Sequence, residues 1–288
     1  AEQMRKRLHK GTAYEVPVIG WRAEIEQLNA EDARAFYRRY YAPDNAVLVV
    51  AGAVTLRDVT SLAQRHYGPL KPSGKPRAPR TPARDLRVDD YMEPQILADA
   101  RVKQNSWRRY YRLPQYQRAD KRQFAAADVL AEILSGGLAG RLYQTLVVEK
   151  KLAVSAGAYS DSNRLDNGEF VIYATPAPQI EFAVLAQAIE GEIDDLKNLI
   201  ASEDEMRRAK RQLAADLIFA RDSQQSMANI FGSAAMLGLS PNEVLGWVDE
   251  IEKVTAQDVR QAAQNLLIAE HSITGHLTGL SSETGGGS

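Results

Sequence analysis

The amino-acid sequence predicts an α+β fold: two homologous α/β sandwich domains in tandem, the first of them incomplete. Three observations carry this. Gly20 to Arg34, GWRAEIEQLNAEDAR, is written again at Gly246 to Arg260, GWVDEIEKVTAQDVR, with eight of fifteen residues identical at one offset of 226. Average residue usage gives about one match in such a window. At the same offset an amphipathic helix and a short apolar strand follow each copy, Ala46 to Ala51 (AVLVVA) and Ser272 to Leu277 (SITGHL). The third observation is an asymmetry: 150 residues of strand and helix patterns, Ile96 to Leu245, precede the second copy, whereas nineteen residues precede the first. A period of one domain length indicates tandem domains rather than a solenoid. The first domain is therefore expected to lack most of its N-terminal part.

Ala1 to Lys10 has helix-forming composition, and Gly11, Pro17 and Gly20 mark an irregular segment after it. Asn29 with Asp32, and Thr255 with Asp258, are close to the S/T-x-x-E capping box, so both repeats start a helix at the same point. Ala42-Pro43-Asp44-Asn45 stops the first of these helices. Ala46 to Ala51 is apolar on both faces and suits a buried inner strand, and Thr55 to His66 reads as a helix. Five of the twelve prolines and six Lys or Arg fall between Pro69 and Arg87. Proline denies that stretch helix and sheet hydrogen bonds, so residues 69–95 read as an extended interdomain linker. Its charge also admits a nucleic-acid-binding arm, but there is no aromatic between Pro69 and Arg87 to stack a base.

Strands are expected at Ile96 to Val102 and Trp107 to Leu113, a helix from Lys121 to Leu134, a glycine turn at Gly136, Gly137 and Gly140, and a helix from Arg141 to Lys150. Strands Val154 to Ser160 and Glu169 to Thr175 follow. A long helix then places Phe182, Leu185, Ile189, Ile193 and Leu196 on one face, and Ser202 with Glu205 caps the next, whose stripe is Met206, Ala209, Leu213 and Leu217. This order indicates one sheet against a helical layer. The expected division is 1–68, remnant of the first domain; 69–95, linker; 96–280, second domain; 281–288, a flexible GGGS-ending tail.

With 288 residues, 44% hydrophobic and 25% charged, burying a core is not in doubt. A formal net charge of −1 gives no general affinity for nucleic acid or acidic membranes. The absence of cysteine excludes disulfides, thiol nucleophiles and cysteine-ligated zinc. No apolar run approaches the ~20 residues of a membrane helix. Of the four histidines, His9 and His66 have no second ligand at metal-binding spacing, and His271 and His276, five apart on an expected strand, face opposite sides. All four read as single surface histidines. There is no HExxH, HxxEH, GxSxG, phosphate loop or GxGxxG. Trp21 and Trp247, equivalent in the repeat, read as packing anchors, and the glycines at 136–140 as a tight turn rather than an anion site.

SGGLAGRLYQTLVVEKKLAVSAGAYS, residues 135–160, resembles the C-terminal domain of the insulinase or pitrilysin-like zinc metallopeptidases. There a glycine turn (here Gly136 and Gly137) precedes an RLY helix (Arg141 and Tyr143) and a LA-x-x-x-x-A strand. PVIGW at Pro17 to Trp21 and AFYRRYYAPDNAVLVVAGAV at Ala35 to Val54 are similar to the end of the N-terminal domain of bacterial two-domain members. The resemblance implies two α+β domains facing each other as a clamshell around a peptide-holding chamber. It also implies a zinc held by HxxEH and a downstream glutamate of the first domain, with the motif's glutamate as general base. None of these metal ligands is in this chain, which is expected to be inactive alone; where the family often has HPYGxPxxG, Thr12-Ala13-Tyr14-Glu15-Val16-Pro17 stands here.

The family also needs an Arg and a Tyr, in a pattern like LRxxxxLxY, to hold the substrate backbone and stabilise the oxyanion. Val147 and Val154 occupy those positions here. The resemblance therefore implies the zinc-carrying member of a bacterial pair, its Arg and Tyr supplied by a homologous partner subunit in a heterodimer or homo-oligomer. The competing implication is a non-catalytic structural or partner subunit. The periplasm or cell envelope of a bacterium is the location the family suggests.

Overall fold

A computed structural model describes residues 1–74, 94–115 and 120–279. The chain divides into two compact units, one of residues 1–15, 83–215 and 247–288, the other of 16–82 and 216–246. Most of the expected linker and all of the expected tail lie outside the described residues.

The larger unit is built on five strands: β1 (Gln95–Ala98), β2 (Ser106–Gln115), β3 (Ala153–Asp161), β4 (Asn167–Pro176) and β5 (Ser272–Thr278). They lie in the order β1-β5-β2-β4-β3, antiparallel except for the parallel β1–β5 pair. Side chains alternate between the two faces with period two. Trp107, Tyr111 and Leu113 of β2, with Phe170, Ile172 and Ala174 of β4, enter a core shared with α5 (Lys121–Ser135), α7 (Phe182–Asn198), α11 (Trp247–Lys253) and α12 (Ala256–Leu266). The expected stripe of α7 is confirmed, since Leu185, Ile189, Ile193 and Leu196 are fully buried. Thr255 caps α12 as the sequence indicated, its Oγ1 accepting from the Asp258 N–H while the Asp258 carboxylate accepts from the Thr255 N–H. This is the sheet against a helical layer that the sequence predicts.

The opposite face of the sheet is covered by α1 (Glu2–Leu8). Met4 and Leu8 pack there with Tyr110, Val171 and Ile273. A Cβ on Gly275 would lie 2.5 Å from Met4 Sδ, so glycine at this strand position is what lets the helix approach. Residues 1–15 thus belong to the unit that holds the sheet, and residues 216–246 to the other compact unit.

The smaller unit holds α2 (Arg22–Ile25), α3 (Ala30–Tyr40), α4 (Leu56–His66), α9 (Gln224–Met236) and α10 (Pro241–Leu245); α6 (Arg141–Tyr143) belongs to the larger unit, and the boundary between units falls within α8 (Glu203–Ala220). Asn29 caps α3, its Oδ1 accepting from the N–H groups of Glu31 and Asp32. The expected strand Ala46 to Ala51 is not formed, and Val47, Leu48 and Val50 are about half exposed. A strand is stable only beside another, and the described residues of this unit contain none. Apolar alternation supplies propensity but no neighbour.

A partly buried acid on α5 makes the larger unit pH-sensitive. Burial pushes the Asp128 carboxyl on α5 up to about 7, the Ser160 hydroxyl pulling the other way. A raised carboxyl pKa means the folded chain keeps a proton that the unfolded chain has lost, so this group costs stability as pH rises from about 4 to 7. Asp128→Asn is expected to leave the melting temperature unchanged near pH 4 and to raise it at pH 8, by about 2 kcal/mol or roughly 5 °C. Thermal melts across that range check it; a gain that shrinks with pH contradicts it.

Candidate functional site

The stretch that carries the resemblance forms a run of irregular backbone between α5 and β3. A Cβ on Gly140 would lie 2.8 Å from Gly136 N and 2.9 Å from Leu134 O, which as backbone atoms cannot yield. Gly137 adopts φ +58°. The glycines are therefore required for close packing and a left-handed turn. α6 follows, but the expected regular helix to Lys150 does not: Gln144–Glu149 widens into a π-helical turn, with Lys150 N–H bonding Thr145 O at 2.9 Å. Lys151 then takes φ +52°, and the β3–β4 register shifts between Ala153 and Ser155. π-turns, non-glycine left-handed residues and bulges concentrate at functional sites.

Val147 lies on the π-turn, partly buried against the sandwich core. Val154 sits at the register shift of β3 and is 47% exposed. Neither offers a charge or a hydroxyl. On this irregular backbone the two positions present only aliphatic surface.

Arg141 of the RLY segment has a structural task. Its Nε and Nη2 donate to Glu205 Oε1 and Oε2 at 2.6 and 3.0 Å, both side chains being mostly buried. Glu205 also accepts from Ser202 N–H and Oγ at 2.9 and 2.7 Å, as the capping-box reading expects. Burial pushes this carboxyl up, but the Arg141 fork and Ser202 outweigh it and draw it down to about 2. The pair ties α6 to the start of α8. Tyr143 is half-buried on α6.

A second charged centre escaped the sequence reading. Glu169 on β4 is fully buried; Arg5 Nε and His9 Nε2 donate to it at 3.0 and 2.9 Å, and Arg164 Nη1 forms an ion pair with it at 2.9 Å. Burial pushes this carboxyl up; the His9 hydrogen bond and the Arg164 and Arg5 charges hold it below the usual range. Tyr14 Oη accepts from Leu165 N–H at 2.9 Å, and Arg164 lies over the Tyr14 ring. His9 is therefore a buried residue, not the surface histidine expected. Its partner stands 160 residues away in sequence, beyond any ligand-spacing rule.

The remaining histidines of the larger unit are apart. His271 ends a 3₁₀ turn rather than lying on a strand, and His276 of β5 stacks on Phe182 with ring centres 4.2 Å apart. Among the described residues no three His, Cys, Asp or Glu side chains are grouped to hold a metal ion. His9 and Glu169 bond each other beside two guanidinium groups, a donor set that does not suit zinc. Removing the Arg141 fork leaves Glu205 without its main cation, and Arg141→Ala is expected to cost about 2 kcal/mol, lowering the melting temperature by roughly 4–8 °C at pH 7. The loss shrinks as pH falls through the depressed Glu205 value toward 2. A pH-independent change, or none, contradicts the structural role.

Residues 27–213 match the family model described as the peptidase M16 inactive domain. The chain is 28% identical over 255 residues to an uncharacterized zinc protease of Streptomyces coelicolor, covering 87% of this chain and 54% of that protein. It is 25% identical over 232 residues to the zinc protease PqqE of Helicobacter pylori, covering 80% and 50%. The chain thus spans about half the length of the curated relatives it matches. In fold it is similar to a protease from Helicobacter pylori, with a TM-score of 0.81 at 23% identity over 90% of this chain and 61% of that one. It is similar also to the peptidase M16 inactive domain from Pseudomonas fluorescens, with a TM-score of 0.80 at 19% identity over 98% and 65%. With a family model matching well over half of its residues, and the motifs at 135–160 on the frame described above, the chain belongs to the M16 peptidase family of insulinase-like metallopeptidases.

Proposed function

We propose that this chain is the C-terminal, zinc-free portion of a longer zinc endopeptidase that degrades peptides in a clamshell chamber, its Arg and Tyr supplied by a homologous partner subunit. The observation that carries the reading is the aliphatic pair Val147 and Val154 on the π-turn and the register shift of β3. In this reading residues 1–68 are the end of the zinc-bearing domain and residues 96–280 the second domain. Zinc, when bound, supplies a Lewis acid and an activated water. This chain's own residues do other work. The glycine turn, the Arg141–Glu205 pair and the π-turn hold the wall on which a peptide would run, and the two valines leave that wall without an oxyanion donor. The names of the zinc protease relatives support the reaction class, and their greater length is consistent with the metal-bearing part being supplied elsewhere. A zinc-free structural subunit of the same family is the second outcome the test distinguishes.

The 288-residue chain alone is expected to cleave no peptide, with or without added zinc. In the longer protein that carries it, one zinc per chain is expected by elemental analysis, with cleavage rising about 10²-fold or more on addition of an Arg/Tyr-bearing homologue. Efficient chelator-sensitive cleavage by either polypeptide without a partner contradicts the borrowing of Arg and Tyr. Absence of zinc from the longer protein contradicts the enzymatic reading and leaves the structural subunit.

A further inference from the structure

Residues two apart on a strand share a face, so Arg108 of β2 stands on the face of Tyr110, and Tyr173 of β4 on that of Val171. The strand register sets Gly275, Arg108, Tyr173 and Gly157 side by side across β5, β2, β4 and β3. Both outer members of this row are glycines. Met4 fills the space above Gly275, whereas the space above Gly157 is bounded by two hydroxyls: a Cβ there would lie 2.5 Å from Ser135 Oγ and 2.6 Å from Tyr173 Oη. The two oxygens are therefore within about 5 Å of each other. Arg108 is exposed, while Ser135 and Tyr173 are half-buried. Two residues further along, Thr175 of β4 and Ser155 of β3 are register partners on the same face.

This shelf is made of donors. Among the described residues no hydrogen bond engages the Arg108 guanidinium or the hydroxyls of Ser135 and Tyr173. Glu169, the buried carboxylate of this face, is already matched by Arg5, His9 and Arg164. A guanidinium presents a planar fork that fits the two oxygens of a carboxylate, and hydroxyl donors beside it complete the shell. A neutral amide would use the hydroxyls but leave the charge unmatched. Gly157 lies three residues after Val154 on β3, about 10 Å at the rise of a strand, so the shelf adjoins the wall described above.

We infer that Arg108, Tyr173 and Ser135 form a subsite for a peptide carboxylate, either the C-terminal carboxylate or an acidic side chain. The inference rests on the peptide reading proposed above and adds where the peptide's negative group is held. Arg108 supplies the fork, Tyr173 and Ser135 donate from the side of β3, and Gly157 keeps their space open.

Binding to the 288-residue chain is followed by fluorescence anisotropy with N-terminally labelled hexa-alanine as the free acid, as the C-terminal amide, and as an amide carrying one internal glutamate. The free acid or the glutamate peptide is expected to bind about fivefold or more tightly than the unsubstituted amide, and whichever does so names the source of the carboxylate. Arg108→Gln is expected to abolish that preference and Tyr173→Phe to reduce it about threefold. Arg108 is exposed, so its variant is expected to keep the melting temperature, and it decides the matter alone if Tyr173→Phe fails to fold. Equal binding of the three peptides, no binding of any, or a preference that survives Arg108→Gln overturns the subsite. Inorganic sulfate competing as well as the free acid marks a general anion patch and overturns it too. The assay needs neither zinc nor cleavage: carboxylate preference can hold where the longer protein proves to be no peptidase, and can fail where it is one.

Discussion

Both faces of the five-stranded sheet are apolar along its inner strands, and every other feature of the larger unit follows from covering them. The helical layer meets Trp107, Tyr111, Phe170 and Ile172 on one side, while Tyr110, Val171 and Ile273 on the other are left to α1. A seven-residue helix buries little apolar surface, and a buried carboxylate anchors it. An unpaired Glu169 would carry a penalty of several kcal/mol; Arg5, His9 and Arg164 converge to offset it and so fix α1 and the β3–β4 turn together. The same logic explains the smaller unit by contrast. Ala46 to Ala51 is apolar on both faces but has no strand beside it among the described residues, and it stays open.

The elements most legible in the sequence were those whose cause is local. Capping by Asn29 and Thr255, the α7 stripe, the β3–β4 pair and the glycine turn each depend on residues a few positions apart. The features that escaped depend on distance or on subtle backbone choices. His9 meets Glu169 across 160 residues and Arg141 meets Glu205 across 64, so neither pairing leaves a spacing to read. The π-turn at Gln144–Glu149 carries the apolar pattern of an ordinary helix, and only the backbone register separates the two. Nothing in the spacing of residues 1–15 reveals that Met4 and Leu8 are buried against a sheet whose strands lie about a hundred residues or more further on.

At the candidate site the legible part was the frame and the substitution, not the geometry between them. The RLY and glycine motifs pointed to the family, and its model matches residues 27–213. What the motif could not reveal is that Arg141 serves as a clamp between α6 and α8. Val147 and Val154 lie on a π-turn and a strand irregularity, backbone that is costly to keep where it has no use. At these two irregular positions the side chains offer neither charge nor hydroxyl.

Two equivalent sequences meet different fates because one has strand neighbours and the other has none among the described residues. Amide hydrogen exchange resolved to single residues compares them directly. Ser272 to Thr278, bonded to β1 and β2, is predicted to exchange at rates approaching those of global unfolding, while Ala46 to Ala51 exchanges orders of magnitude faster. Equal protection of the two segments would contradict it.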